Sequence, residues 1–258
     1  MRRLIPAVLL ALMSFLPAPA LAAPEEVQVY MDELNAKGEV GLDLHLNTVT
    51  SGSAVPDYPG QQLSLHRWRL TPEFSLGLGN GFEAGLYLPL ATLRPGEPLR
   101  ADGVKARIKW LAPHGAEGFY WGANFELGRV AHRLDENPWN GELKLIGGWR
   151  RGRWVAAANA NFDFVVDGPN PGPASLELAT KLGYRLGRET VLGVESYNGM
   201  GPLRGLGHLP GQEHATYLAL DTKLGRWDLN AGIGRGYGTN ADHTVVKFVI
   251  GVPIGPAK

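Results

Sequence analysis

Charged side chains recur at every second position within several apolar runs of this 258-residue chain. One run carries Lys105, Arg107 and Lys109 on alternate positions, and another carries Glu83 between aliphatic residues. Alternate positions of a β-strand share one face, so each run would place a row of charge opposite a row of apolar groups. Ammonium, guanidinium and carboxylate groups in such rows can bind and orient a polar solute. The residues predicted to line a polar constriction are Arg67, Arg69, Glu83, Lys105, Arg107, Lys109, Glu126 and Glu142.

About twelve alternating runs follow one another from Gly38 onward, and their connections switch between very short and long. The second run is predicted to extend from about Gln62 to Leu78 and to turn at Asn80-Gly81, a strong hairpin signal. Short turns after even-numbered strands and long loops after odd-numbered strands are typical of an up-and-down β-barrel. The predicted fold is therefore all-β, an antiparallel barrel of about 12 strands.

Aromatic residues indicate which face of this barrel meets lipid. Six of them share the apolar phase and lie beside a short turn, so folding would gather them at one rim. A belt of aromatic side chains is typical of a membrane interface. The barrel is accordingly predicted to be transmembrane, with both ends in the periplasm of a bacterial cell and the apolar face in the outer membrane. The predicted interface residues are Phe82, Trp110, Phe119, Trp149, Trp154 and Trp227.

The opposite face would then line an interior that holds charge of both signs. Twelve strands give a width between that of filled eight-stranded barrels and that of open porins with 16 to 18 strands. Two interpretations remain open from the sequence. The charges could form a narrow pore with a transverse field that orients a solute, or they could pair and fill the barrel.

Histidine and serine side chains offer two further chemistries. His45, His66 and His243 are predicted near the loop rim, but they lack a tight metal-ligand spacing, and no metal site or cofactor is predicted. Ser64 and His66 share a face, with Asn47 as a possible orienting group, as an outer-membrane lipid hydrolase would need. Residues two apart on a strand stand about 6.6 Å apart at Cα, which makes direct contact awkward. No catalytic residue is predicted.

The N-terminus predicts export. Arg2 and Arg3 precede an apolar stretch and a small-residue site ending at Ala22, the pattern of a cleaved signal peptide. Its removal leaves 23 Lys and Arg against 25 Asp and Glu, and this balance argues against a nucleic-acid partner. The chain has no cysteine, so no disulfide can brace it. The predicted organisation is a signal peptide (1–22), an N-terminal periplasmic segment (23–37) and the barrel (38–258).

Several stretches resemble a known family, the outer-membrane transporters associated with meta-pathway phenol degradation. The likeness lies in VQVYMDELNAKGEVGLDLHLN, in LTPEFSLGLGNGFEAGLYLPL, and in the later pieces KLGYRLGRETVLGVESYNG and KFVIGVPIG. The resemblance implies uptake of small hydrophobic or aromatic compounds and carries over no catalytic residue.

The function expected from the sequence is a non-enzymatic channel for passive uptake of small solutes. Its expected partners are outer-membrane lipid, the solute and the barrel assembly machinery, and the sequence leaves the oligomeric state open. A non-conducting barrel whose outer loops, such as VDGPNPGPAS, bind a partner remains the alternative, with the lipid hydrolase less favoured.

Overall fold

Antiparallel strands close into a barrel in the computed structural model, which describes residues 26–252 and Ile254, with the backbone alone for Pro89 and Leu90. Each strand pairs with its neighbours in the sequence, and the first pairs with the last from Leu42↔Val252 to Ser51↔Thr244. The described residues form β1 (Val40–Ser51), β2 (Trp68–Gly79), β3 (Phe82–Leu93), β4 (Arg100–Leu111), β5 (Gly118–Val130), β6 (Trp139–Arg151), β7 (Trp154–Asp167), β8 (Ser175–Arg185), β9 (Val191–Pro202), β10 (Glu213–Leu224), β11 (Trp227–Gly238) and β12 (Thr244–Val252), with a short 3-10 turn at Leu209–Gly211. The predicted signal peptide lies outside the described residues.

The side-chain alternation of the strands separates an apolar outside from a polar inside. In β2, Glu73 is 2% exposed while its neighbour Phe74 is 42% exposed. The same reversal of ordinary burial recurs in β4, where Arg107 and Lys109 are buried and Ile108 is exposed. Because a soluble barrel would bury its aliphatic face, this arrangement confirms the predicted transmembrane fold.

Tight turns join the strands at one rim. Between β2 and β3, Gly79, Asn80 and Gly81 all have positive φ, between 54° and 85°. A left-handed backbone favours glycine and asparagine at such positions, which explains the predicted Asn-Gly turn. We call this end of the barrel the turn rim and the opposite end, with the longer connections, the loop rim.

The second strand begins later than predicted. Residues 62–67 do not continue β2; they belong to the β1–β2 connection, which His66 (φ 58°) turns before Trp68. Leu65 bridges Val49 in parallel and packs against a buried cluster inside the barrel. The alternation in residues 62–67 therefore does not mark a β-strand. It reflects the insertion of one apolar side chain, Leu65, into the mouth of the barrel.

Residues 26–37 form a segment that lies inside the barrel and belongs to none of its strands; we call it the lumen segment. Val27, Val29 and Tyr30 are at most 5% exposed. The predicted periplasmic segment thus packs, in its described part, against interior side chains. No helix in residues 26–252 is long and apolar enough to cross a membrane.

Candidate functional site

The lumen segment is fixed to the wall at the turn rim. Gly38 N donates to Gly77 O at 2.7 Å, and Asn35 N donates to Glu83 Oε2 at 2.7 Å. The Asn35 amide also donates to Ser75 Oγ at 2.7 Å. The segment can approach the wall this closely because residue 77 is a glycine. A Cβ at that position would collide with the backbone of Asn35 and Ala36. The rim contacts therefore depend on polar side chains and on one glycine.

Basic residues of β4 and β6 hold the acidic part of the segment. Arg150 Nε donates to Asp32 Oδ1 at 2.9 Å, and Arg150 Nη2 donates to Glu33 Oε1 at 2.8 Å. Lys109 Nζ donates to the carbonyl oxygen of Glu33 at 2.8 Å. Charge-assisted bonds of this kind are stronger than neutral ones, so the segment and the wall match in charge as well as in shape.

Tyr30 is the centre of the site. Its backbone N donates to Asn159 Oδ1 at 2.6 Å and its carbonyl oxygen accepts from Asn159 Nδ2 at 2.9 Å, so one amide side chain satisfies both backbone groups. The phenol oxygen lies 2.7 Å from Tyr87 Oη and donates to Glu126 Oε1 at 3.2 Å. Lys144 Nζ stands 3.9 Å from the ring centroid, within the range of a cation–π contact. The lumen therefore binds an aromatic ring on its face and at its hydroxyl.

Apolar contacts hold the segment towards the loop rim. Val27 packs in a buried cluster with Val49, Tyr217 and Val245, and its carbonyl oxygen accepts from Lys247 Nζ at 2.9 Å. Leu65, from the β1–β2 connection, packs against the same cluster. The segment and an outer loop thus meet inside the barrel, one from each end.

Ion pairs fill much of the remaining interior. Arg107 contacts both Glu73 and Glu83, the latter at 2.8 Å, and all three side chains are buried. A second network joins Glu195 to Lys181 at 3.0 Å and to Lys247. Buried charges persist when they are paired, because an unpaired charge is costly to desolvate. These pairs favour the filled interior over the open field for the described conformation.

The predicted constriction residues separate into two groups. Seven of them lie on strands with side chains on the inner face, and six of those seven contribute the contacts given above or below. Lys105 shares the face of Arg107, while Glu142 lies 3.1 Å from Lys144 Nζ. Arg69 donates to Ser64 Oγ at 3.2 Å. Their role as a constriction stays a prediction.

Arg67 has a different place from the other seven residues. It precedes β2 and pairs with Glu97 of the β3–β4 loop at 2.5 Å, and it lines a cavity of about 300 Å³ at the loop rim. The Arg67 guanidinium holds the pKa of the Glu97 carboxyl below its usual range. Arg67 therefore belongs to the mouth of the barrel, because the strand that would have carried it inward starts one residue later.

The predicted interface aromatics cluster beside the short turns. Phe82 and Trp110 are cross-strand partners with ring centroids 6.3 Å apart, and Phe119 and Trp149 lie 6.5 Å apart. Trp154 stacks edge-on against Tyr184 at 5.0 Å, and Trp227, at the start of β11, is 45% exposed. All six lie at strand ends on the turn rim, where we propose that they contact the lipid interface.

The serine and histidine side chains of the hydrolase hypothesis each make a hydrogen bond to another residue. His66 Nε2 lies 3.3 Å from the carbonyl oxygen of Thr50, whereas Ser64 Oγ accepts the bond from Arg69. Of the predicted rim histidines, His45 is buried and bonds to Glu73 at 3.0 Å.

Three residues that form contacts between the lumen segment and the wall lie outside the predicted constriction: Tyr30, Asn159 and Lys247. One signal was present: the acidic residues Glu26, Asp32 and Glu33 precede a barrel whose predicted inner face is rich in Lys and Arg.

Similar solved structures agree with the fold. The chain is similar to the NanC porin, with a TM-score of 0.54 and 10% identity over 83% of this chain and 100% of that one. It is also similar to an outer membrane channel from Pseudomonas putida F1, with a TM-score of 0.55 and 14% identity over 88% of this chain and 100% of that one. No protein-family model and no curated protein matches the sequence.

A lipid-facing wall around a polar interior defines a transmembrane β-barrel, and the fold of this barrel is similar to the folds of bacterial outer-membrane channels. Within this barrel, a lumen segment is held around a buried tyrosine.

Proposed function

We propose that this protein is an outer-membrane channel for passive uptake of small solutes and that the lumen segment occupies the conduction path at rest. The observation that carries the proposal is the interior lined by Lys, Arg, Glu and Asn from β2 to β12 around a separate stretch of chain. Polar groups lining a barrel are the physical requirement for moving a solute through hydrocarbon.

The way in which the segment is held supports its role as a removable gate. Strands of the wall share continuous ladders of backbone hydrogen bonds, whereas Tyr30 is held by the side chains of Asn159, Tyr87 and Glu126. A side chain can exchange a bond with water or with a solute without breaking the sheet. Withdrawal of the segment would leave the wall intact and its polar groups exposed to the path.

The surroundings of Tyr30 support small aromatic solutes as the cargo. A phenol ring already rests there, with an ammonium group over its face and a hydroxyl and a carboxylate at its oxygen. A phenol-like solute could replace Tyr30 and keep the same contacts. Gating and selectivity are therefore linked in this proposal. The Tyr30 phenol of the segment resembles the solute that would displace it.

The experiment is single-channel recording of the purified protein in a planar bilayer, before and after deletion of residues 26–35. We expect small or infrequent openings for the full chain and larger, longer openings for the deletion variant. Deletion of residues 168–173, in the β7–β8 loop, is the matched control, because the Asn170 bonds of that loop reach Glu136 and Asn137 of the β5–β6 loop. Silence of a correctly folded deletion variant would contradict the channel.

A second recording tests the solute class. We expect phenol to alter the current of the full chain at lower concentrations than cyclohexanol, which has similar size and a hydroxyl but no π face for Lys144. The difference should shrink in Lys144→Met, which keeps the length of the side chain and loses its charge. Equal responses to phenol and cyclohexanol would remove the aromatic part of the proposal and leave the channel part standing.

A further inference from the structure

Three potential metal ligands meet where the lumen segment touches the wall. Glu26 belongs to the segment, His45 to β1 and Glu73 to β2, and one ligating atom of each lies within 4.8 Å of the other two. His45 and Glu73 are each 2% exposed. A Zn²⁺ ion stands about 2.0–2.2 Å from its nitrogen and oxygen ligands, so its ligand atoms are roughly 3–4 Å apart. Small side-chain rotations would bring these three to that spacing.

Two atoms of the group are buried without a hydrogen-bond partner. His45 Nε2 contacts Glu73 Oε2 at 3.0 Å, and His45 Nδ1 has no partner among the described residues. Glu26 Oε2 accepts from the Tyr87 hydroxyl at 3.0 Å, and Glu26 Oε1 is likewise unpartnered in the described part of the chain. Buried polar atoms are nearly always satisfied, and a bound ion would account for the unpartnered oxygen of Glu26.

The contact between His45 and Glu73 suits a metal site. His45 Nε2 and Glu73 Oε2 lie at the spacing of two ligand atoms on one ion, so an ion would take the place of the proton between them and leave the imidazole proton on Nδ1. Arg107 Nε donates to Glu73 Oε1 at 2.5 Å, so Arg107 occupies one oxygen and leaves the other on the His45 side. The wall thus presents a preset pair, and the segment supplies the third group.

We propose that Glu26, His45 and Glu73 bind a divalent transition-metal ion, with Zn²⁺ as the probe, and that the ion ties the lumen segment to β1 and β2. One imidazole with carboxylate oxygens suits Zn²⁺ better than the purely oxygen-seeking Ca²⁺ or Mg²⁺. Three protein ligands leave a fourth position for water. No spacing motif announces these ligands, because they are 19 and 28 residues apart and one lies outside the barrel strands.

The test is zinc titration of the metal-stripped protein in detergent, without a histidine tag, by calorimetry and by metal analysis after dialysis. We expect one Zn²⁺ per chain, and at least about tenfold weaker binding in Glu26→Gln and in His45→Gln. His114→Gln is the matched control, because His114 is an exposed histidine in the β4–β5 turn and should bind as the unaltered protein does.

Glu26→Gln keeps the test clear of folding effects, since residue 26 is in no strand of the barrel. A heat-dependent difference in electrophoretic mobility, equal to that of the unaltered protein, would verify that each variant is folded. Absence of stoichiometric zinc binding, or equal binding by Glu26→Gln and the unaltered protein, would overturn the proposal. Because conductance is recorded separately in the presence of a chelator, a failed metal site and a failed channel give different results.

Discussion

The barrel wall and the lumen segment are built by different interactions. In the wall, each strand pairs along its length with two neighbours through backbone hydrogen bonds. In the segment, the backbone groups of Val27, Tyr30 and Glu33 bond to side chains of β12, β7 and β4. Backbone ladders are cooperative across the whole sheet, whereas side-chain contacts can be lost one at a time. The comparison teaches that one chain can combine a permanent structure with a detachable one.

The largest effect is expected from Arg107→Ala, which removes a buried ion-pair partner from the barrel wall. Its removal leaves Glu73 and Glu83 buried without their main counter-charge, at a cost of about 3 kcal/mol in the free energy of unfolding. Urea titration in detergent micelles, followed by tryptophan fluorescence, measures that cost. The double variant with Glu73→Gln should recover part of it, and an unchanged urea midpoint in Arg107→Ala would show that the pairs are not needed.

The same charges should set ion preference once the path is open. In a channel that lacks residues 26–35, Lys105→Ala combined with Arg107→Ala removes two positive charges from the row beside Glu83 and Glu126, so ion preference should shift towards cations. Reversal potentials in a salt gradient measure the shift. If they stay unchanged, the basic row does not line the conduction path.

A smaller effect, confined to the segment, is expected from Asn159→Ala. The substitution removes both bonds to the Tyr30 backbone and leaves the β7 ladder in place. Loss of a buried polar contact costs about 1–3 kcal/mol, so a Val29→Cys reporter should react with a thiol reagent roughly 5- to 150-fold faster. The chain has no cysteine of its own, which makes the labelling specific. Asn170→Ala, in an outer loop, is the control. Equal labelling rates in the two variants would show that Asn159 does not hold the lumen segment in place.

Gly77→Val should have a weaker effect on the same reporter. The added side chain would occupy the place of the Asn35 and Ala36 backbone, so only the rim end of the segment is displaced. Labelling at position 29 should therefore rise by less than in Asn159→Ala. Gly147→Ala serves as the control, because a Cβ there meets no atom closer than 3.9 Å. A larger rise in the labelling rate than in Asn159→Ala would show that the contacts at the turn rim, and not those of Tyr30, chiefly hold the lumen segment.

The smallest effect is expected from Arg67→Gln at the loop rim. Arg67 and Glu97 form a solvent-accessible pair, and such pairs contribute little to stability. The urea midpoint should not change measurably, in contrast with Arg107→Ala. A clear loss of stability would mean that the loops reinforce the wall.

The sequence predicted the wall well because successive residues of a β-strand lie on opposite faces, so the polarity of each face is visible in the sequence. The register of the hairpins follows from turns such as Gly79-Asn80-Gly81, which are local in the chain. Seven of the eight constriction candidates lie on the predicted inner face for the same reason. Arg67 does not, because His66 turns the backbone in a way that alternation cannot show.

The lumen segment could not be predicted in the same way. Its conformation depends on Lys109, Asn159 and Lys247, which lie far away in the sequence and on different strands. A segment without its own hydrogen-bonding pattern carries no periodic signal for such contacts. The metal ligands share this difficulty, since Glu26, His45 and Glu73 become neighbours only through the closed barrel.

The bond between Lys247 and the Val27 carbonyl spans 220 positions and joins the first described residues to the last strand. Because β12 also completes the sheet by pairing with β1, the segment can find this contact only after the seam has closed. Contacts of such long range form late in folding. Binding of the segment inside the barrel is therefore a marker of complete assembly. In an incompletely closed sheet the N-terminal residues would be held loosely. A protease added during membrane insertion would therefore cleave them in incomplete barrels and not in closed ones.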